Sequence, residues 1–104
     1  MYKRQLRLGT YGGAQVLGRA AETGSLEAGK LADLVLWKLD TLAHASIADP
    51  VTALVFGAAA PVTASFVNGR QIVENSRLLH VGEDAVARST RAQAQRLARI
   101  AAQG

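Results

Sequence analysis

The chain contains no cysteine, which removes a disulfide framework, a thiolate metal site and a cysteine nucleophile together. It also lacks an apolar run of membrane length. The stretch richest in apolar residues, 50–67, is interrupted by Gly57, Pro61 and Ser65, short of the ~20 apolar residues a spanning helix needs. Residues 1–5 are too few and too polar for a signal peptide, so a soluble, cytoplasmic protein is the expectation. Only two histidines occur, His44 and His80, with neither His-x-His nor His-x-x-x-His spacing. A ligand role is disfavoured for both, and surface or loop positions are expected.

The remaining polar residues are equally sparse in chemistry. Asp33, Asp40 and Asp49 have no histidine partner nearby in the sequence, so strand-end, turn and cap roles are expected rather than general-base work. Ser25, Ser46, Ser65, Ser76 and Ser89 sit in no Gly-x-Ser-x-Gly elbow. Gly9-Thr10-Tyr11-Gly12-Gly13 has the glycines of a phosphate loop, but no strand precedes it and no Gly-Lys-Ser/Thr follows. The residues therefore offer no catalytic, cofactor-binding or metal-binding candidate.

What is present is one small domain's worth of sequence, 104 residues with a 49% hydrophobic share. The net charge of +4 comes from the two ends: Lys3, Arg4 and Arg7 at one, Arg88, Arg91, Arg96 and Arg99 at the other. Residues 8–87 carry five bases against eight acids. A mildly acidic centre argues against a nucleic-acid partner.

The pattern predicts a helix from Leu6 to Leu17, stopped by Gly18, in which Gly12-Gly13 costs about 1 kcal/mol per glycine against alanine and calls for close packing on a neighbour. Leu31 to Leu39 reads as a strand, and its centre, Leu34-Val35-Leu36-Trp37, lacks polar alternation, as in strands covered on both faces. Asp49-Pro50 predicts a capped short helix, 50–56. Asn68-Gly69 predicts a type I′ hairpin within 62–79, and Asn75-Ser76 a second, weaker turn. From Glu83 to about Ala101 the pattern is helical, with Val86, Leu97 and Ile100 on one side and the four arginines opposite. That stripe is weighed as a solvated face, since no aromatic lies in it for base stacking.

Four stretches, taken together in order and spacing, resemble the C-terminal region of the amidohydrolase superfamily: Thr10 to Gly18 (TYGGAQVLG), Gly24 to Leu34 (GSLEAGKLADL), Asp49 to Val55 (DPVTALV) and Val67 to Glu74 (VNGRQIVE). The branch they resemble contains cytosine deaminase-like enzymes, 8-oxoguanine deaminase and hydroxydechloroatrazine ethylaminohydrolase, and the DPVTALV stretch points toward the last two. Residues 1–5 depart from the pattern, which in the family continues upstream into a barrel, so that a methionine there suggests a truncated reading frame, a cloning boundary or a sequence-assembly artefact. Asn75-Ser76 stands where Asp-Gly is usual, and 57–60 where bulkier or polar residues are common.

The resemblance implies an α+β segment of a larger fold. Beyond an off-pattern leader, 1–5, residues 6–19 would form a helix at the end of a (β/α)₈ barrel, 20–82 the C-terminal half of a composite β-sandwich, and 83–104 an amphipathic helix packed back on the body. The parent would hydrolyse a C–N bond on a purine, pyrimidine or triazine-like ring, using a divalent metal, zinc in most members, held at barrel strand ends. The family's metal ligands and proton-shuttling residues all precede this region, so no catalytic residue carries over. The implied partners are the N-terminal strands and barrel of the parent chain, itself a homo-oligomer, with no membrane contact. The competing expectation is a stand-alone β-rich module that binds a partner through the hairpin edge or the basic helix.

Overall fold

The structure is a computed structural model and describes residues 2–104. Helix begins at Tyr2, four residues before the expected Leu6, as α1 (Tyr2–Arg7). The reason is non-local: the Tyr2 ring meets Phe56 edge-on with centroids 4.7 Å apart, so a stretch that looks like polar leader is anchored on a helix fifty residues away. Met1 lies outside the described residues.

After Arg7 the helix widens into a π turn, Leu8–Gly12, in which the Gly13 amide reaches back to the Leu8 carbonyl, and it resumes as α2 (Gly13–Val16). Thr10 Oγ1 donates to the Leu6 carbonyl at 2.8 Å inside this turn, the kind of side-chain competition that loosens a helix ladder. Close packing occurs here, but the glycine that permits it is Gly24 rather than Gly12 or Gly13. A Cβ on Gly24, whose φ is +88°, would stand 2.6 Å from the Ala14 Cβ and 3.1 Å from the Thr10 carbonyl oxygen.

The sheet has four antiparallel strands in the order β1 (Leu34–Trp37), β2 (Val62–Val67), β3 (Arg70–Glu74), β4 (Arg77–Leu78). Leu34 faces Phe66 and Leu36 faces Ala64 across the first pair. Asp33 fixes this register from outside the strand by accepting from the Asn68 amide at 2.6 Å, while the Gly69 amide bonds the Ala32 carbonyl at 3.0 Å. Asn68 and Gly69 have φ values of 48° and 77°, as a type I′ turn demands.

The second turn is stronger than expected, since Asn75 and Ser76 also both take positive φ, 46° and 64°. Serine has no easy access to that region, which costs an L-residue about 1–2 kcal/mol. Ser76→Gly is expected to stabilise β3–β4 by about 1 kcal/mol, slowing exchange of the Leu79 amide, which is bonded to the Ile72 carbonyl, roughly five-fold. An unchanged exchange rate would mean that the Ser76 hydroxyl bond to Val62 O already offsets the strain.

Between β1 and β2 lie a 3₁₀ turn, Leu42–His44, and α3 (Pro50–Phe56). Asp49 caps α3 as its sequence requires, accepting from both the amide (2.9 Å) and the hydroxyl (2.7 Å) of Thr52. The Thr52 hydroxyl first and its amide second hold the Asp49 carboxyl below the ordinary aspartate range. A depressed folded-state pKa contributes stability above the unfolded value, about pH 4, and that contribution is lost as pH falls through the folded value. Asp49→Ala is therefore expected to weaken protection of the α3 amides at pH 6, with the difference from the parent sequence shrinking as the pH falls below the ordinary aspartate range.

The final helix, α4 (Glu83–Gln103), has no buried residue. Its first two turns touch β4 through a cleft lined by Leu78, Val81, Val86 and Ala87, and Arg77 pairs with Glu83 at 3.7 Å. Beyond that it is bare: Leu97 is 64% and Ile100 54% exposed. The helix that was expected to pack back on the body has, within this chain, no body to pack on. The radius of gyration is 18.1 Å, against about 13 Å for a compact domain of this length.

Candidate functional site

His44, expected at a surface or loop position, is buried at 3% exposure. Its Nε2 lies 2.8 Å from the Ala58 carbonyl oxygen and its Nδ1 2.6 Å from Thr41 Oγ1. A carbonyl only accepts, so Nε2 carries a proton, and in the neutral ring Nδ1 then accepts from the threonine hydroxyl. Both nitrogens are committed, and the ring clamps the 3₁₀ turn to the loop after α3. His80 is exposed and far along the chain. Among the described residues no three of His, Asp or Glu gather closely enough to hold a metal ion.

Three aspartates are likewise occupied in structural work. Asp33 holds the hairpin, Asp49 caps α3, and Asp40 pairs with Lys38 at 3.0 Å, a contact that lowers its pKa. One polar cluster escaped the sequence reading. Lys30 Nζ, nearly buried, bonds the Ala20 carbonyl and Ser25 Oγ at 2.7 Å each and Glu27 at 2.9 Å, and Ser25 also donates to Glu27. The Ser25 hydroxyl, then Lys30, hold the Glu27 carboxyl low. Lys30 and Arg7 flank the Tyr11 ring at 5.4 and 5.0 Å, beside a shallow cleft of about 280 Å³ lined by Arg7, Tyr11, Ser25 and Glu27. Every lysine donor is already used, so the cluster reads as a staple tying the Gly24–Lys30 loop to the first helix. The sequence signal for it was the Ser25-x-Glu27-x-x-Lys30 spacing, which is uninformative without the loop's shape.

The feature without an internal explanation is apolar. Among the described residues the buried apolar ones are Ala14, Ala53 and Ala64, and no large side chain is fully buried. On β1, Val35, Leu36 and Trp37 are 42%, 52% and 44% exposed, although their run without polar alternation calls for cover on both faces. With order β1-β2-β3-β4, β1 is also an edge, one side of its backbone unpaired. The accessible surface is 8035 Å², whereas a folded monomer of 10.9 kDa exposes about 5,600 Å². About 2,400 Å² more surface is open than a self-contained domain of this mass leaves open. No helix among the described residues is long and apolar enough to cross a membrane. The candidate functional site is this uncovered face: the β1 edge, the two sides of the sheet and the apolar stripe of α4.

Residues 2–72 match the amidohydrolase family. The chain is 37% identical over 93 residues to a 5-methylthioadenosine/S-adenosylhomocysteine deaminase of Desulforudis audaxviator, an alignment covering 88% of this chain and 22% of the relative. It is 32% identical over 95 residues to the deaminase of the same description from Acetivibrio thermocellus, covering 90% and 22%. Among solved structures it is similar to an adenosine deaminase from Xanthomonas campestris with bound zinc, with a TM-score of 0.85 and 27% identity over 95% of this chain and 23% of the other. It is similar also to atrazine chlorohydrolase from Arthrobacter aurescens complexed with zinc, with a TM-score of 0.80 and 32% identity over 88% and 20%. The chain thus spans about a fifth of the length of the proteins it matches.

Proposed function

The chain belongs to the amidohydrolase family, and from that premise we propose that it is the C-terminal structural segment of a metal-dependent amidohydrolase. The parent hydrolyses a C–N bond, as a deaminase or aminohydrolase acting on a purine, pyrimidine or triazine-like ring. The curated relatives are deaminases of adenine nucleosides by name, which favours a purine nucleoside over a triazine. Metal, zinc by analogy with the zinc-bound neighbours, belongs to a (β/α)₈ barrel outside this segment, and so does every catalytic residue.

In this reading residues 6–19 are the barrel's last helix, 20–82 are half of a composite β-sandwich whose other strands pair with the β1 edge, and 83–104 close the body. The observation that carries it is the uncovered surface, 8035 Å² on a 10.9 kDa chain. A stand-alone binding module has to close its own core, and the buried apolar side chains among the described residues, Ala14, Ala53 and Ala64, do not provide one.

The experiment is a graft. Residues 2–104 replace the matching segment of the Desulforudis deaminase, and the fusion is assayed for solubility and for ammonia release from 5-methylthioadenosine. A soluble, active fusion is the expected result. An insoluble or inert one, beside an active parent enzyme, overturns the reading.

A further inference from the structure

We infer that residues 2–104 are a pre-assembled docking unit, able to bind without a covalent link, one to one, to a polypeptide that supplies the barrel and N-terminal strands of an amidohydrolase. The inference rests on the reading above and goes beyond it, since that reading requires only that the segment pack when it is part of one chain.

The polar skeleton of the segment is closed. Among the described residues no buried side-chain nitrogen or oxygen lacks a hydrogen-bond partner. The long-range ties that set its shape are internal: Asp33 to the Asn68 amide, the Leu31 amide to the Glu22 carbonyl at 2.9 Å, and His44 to the Ala58 carbonyl. Strand order, hairpin register and the seat of α3 are thus fixed without help from outside. What is open is apolar surface and one strand edge, the two features that recognise a partner by shape and backbone pairing. A segment whose internal ties are already made has less conformational freedom to lose on docking than one that folds as it binds, which favours association of separate pieces.

The area identifies the occupant. The surplus of about 2,400 Å² on this side alone is three times the ~800 Å² per partner of a standard protein complex. A second copy could meet the β1 edge but brings the same bare sheet and helix, so edge-to-edge pairing leaves most of the surplus uncovered. A partner must offer a strand for β1 and broad apolar cover for the sheet and α4, and the matched proteins contain roughly four-fifths of a chain beyond this segment to provide both.

The test co-expresses tagged residues 1–104 with the Desulforudis deaminase lacking its matching segment. The expected result is co-purification, a 1:1 mass by light scattering, and ammonia release from 5-methylthioadenosine. Leu36→Glu, at a half-exposed position on β1, is expected to cut co-purified partner more than ten-fold, and Arg91→Glu, on the charged side of α4, to leave it unchanged. If the covalent graft is active while the separate pieces neither co-purify nor release ammonia, the inference fails and the reading stands. Recovery of the tagged chain only as its own oligomer likewise overturns it, naming a second copy as the occupant. If the covalent graft itself is inert, both fall.

Discussion

Expressed by itself at micromolar concentration, the chain is expected to elute as polydisperse, concentration-dependent oligomers and to melt over a broad range without a sharp midpoint. The magnitudes make this outcome large. Taking slightly more than half of the extra surface as apolar, as on protein surfaces generally, the about 2,400 Å² left open corresponds to on the order of 30 kcal/mol of gross burial not made. Net domain stabilities are only about 5–15 kcal/mol, so an apolar deficit of this size drives the assembled segments to associate through the open face, and mixed oligomers melt broadly. The β1 edge then gives the exposed sheet a template for pairing with another copy. Trp37, the single tryptophan and 44% exposed on β1, reports on the same face: its emission is expected to be quenched freely by acrylamide at low concentration and to shift blue when the face is covered in the graft. A dilute monomer with one sharp thermal transition would sink the idea.

The parts of this fold that local chemistry dictates were legible in the sequence. Asp49-Pro50 starts a helix because its carboxylate reaches an amide three residues on, and Asn68-Gly69 turns the hairpin because both residues accept positive φ. Neither requires knowledge of what lies across the molecule. Two of the misses are long-range. Tyr2 joins the first helix through Phe56, and His44 is buried because its acceptor is a carbonyl fourteen residues on, and backbone acceptors leave no trace in side-chain spacing. The close approach expected of Gly12-Gly13 belongs to Gly24, since which glycine meets a neighbour depends on loop shape. The uncovered face was legible in a different sense. Leu34 to Trp37 encode burial on both sides, yet the chain leaves Val35, Leu36 and Trp37 half exposed, so the strand pattern describes an environment that these residues alone do not make.

Within the graft, Gly57→Ala is expected to cost about 3 kcal/mol of stability. Gly57 ends α3 in an extended conformation, its amide bonded to the Ala53 carbonyl at 3.0 Å. A Cβ there would stand 2.4 Å from that same carbonyl oxygen and 3.0 Å from His44 Cδ2. The first neighbour is helix backbone and cannot rotate away. The second is a ring held at both nitrogens by Thr41 and Ala58. Overpacking of a site with no slack costs about 1–3 kcal/mol, and a shift of the loop would add the loss of the His44–Ala58 bond, about 1 kcal/mol. His44→Ala alone is expected to cost about 2–3 kcal/mol, since it leaves the Ala58 carbonyl without its donor and opens a cavity behind Gly57. The two changes share a contact, so the double variant is expected to fall short of their sum by about 1 kcal/mol, removal of the ring relieving one of the two clashes. Thermal midpoints of the four grafts measure this directly. Strict additivity would show that the Ala53 carbonyl alone excludes a side chain at position 57. Because the lock holds α3 and α1 together through Phe56 and Tyr2 and touches no reacting group, catalytic rate per folded molecule is expected to stay level while the midpoint drops.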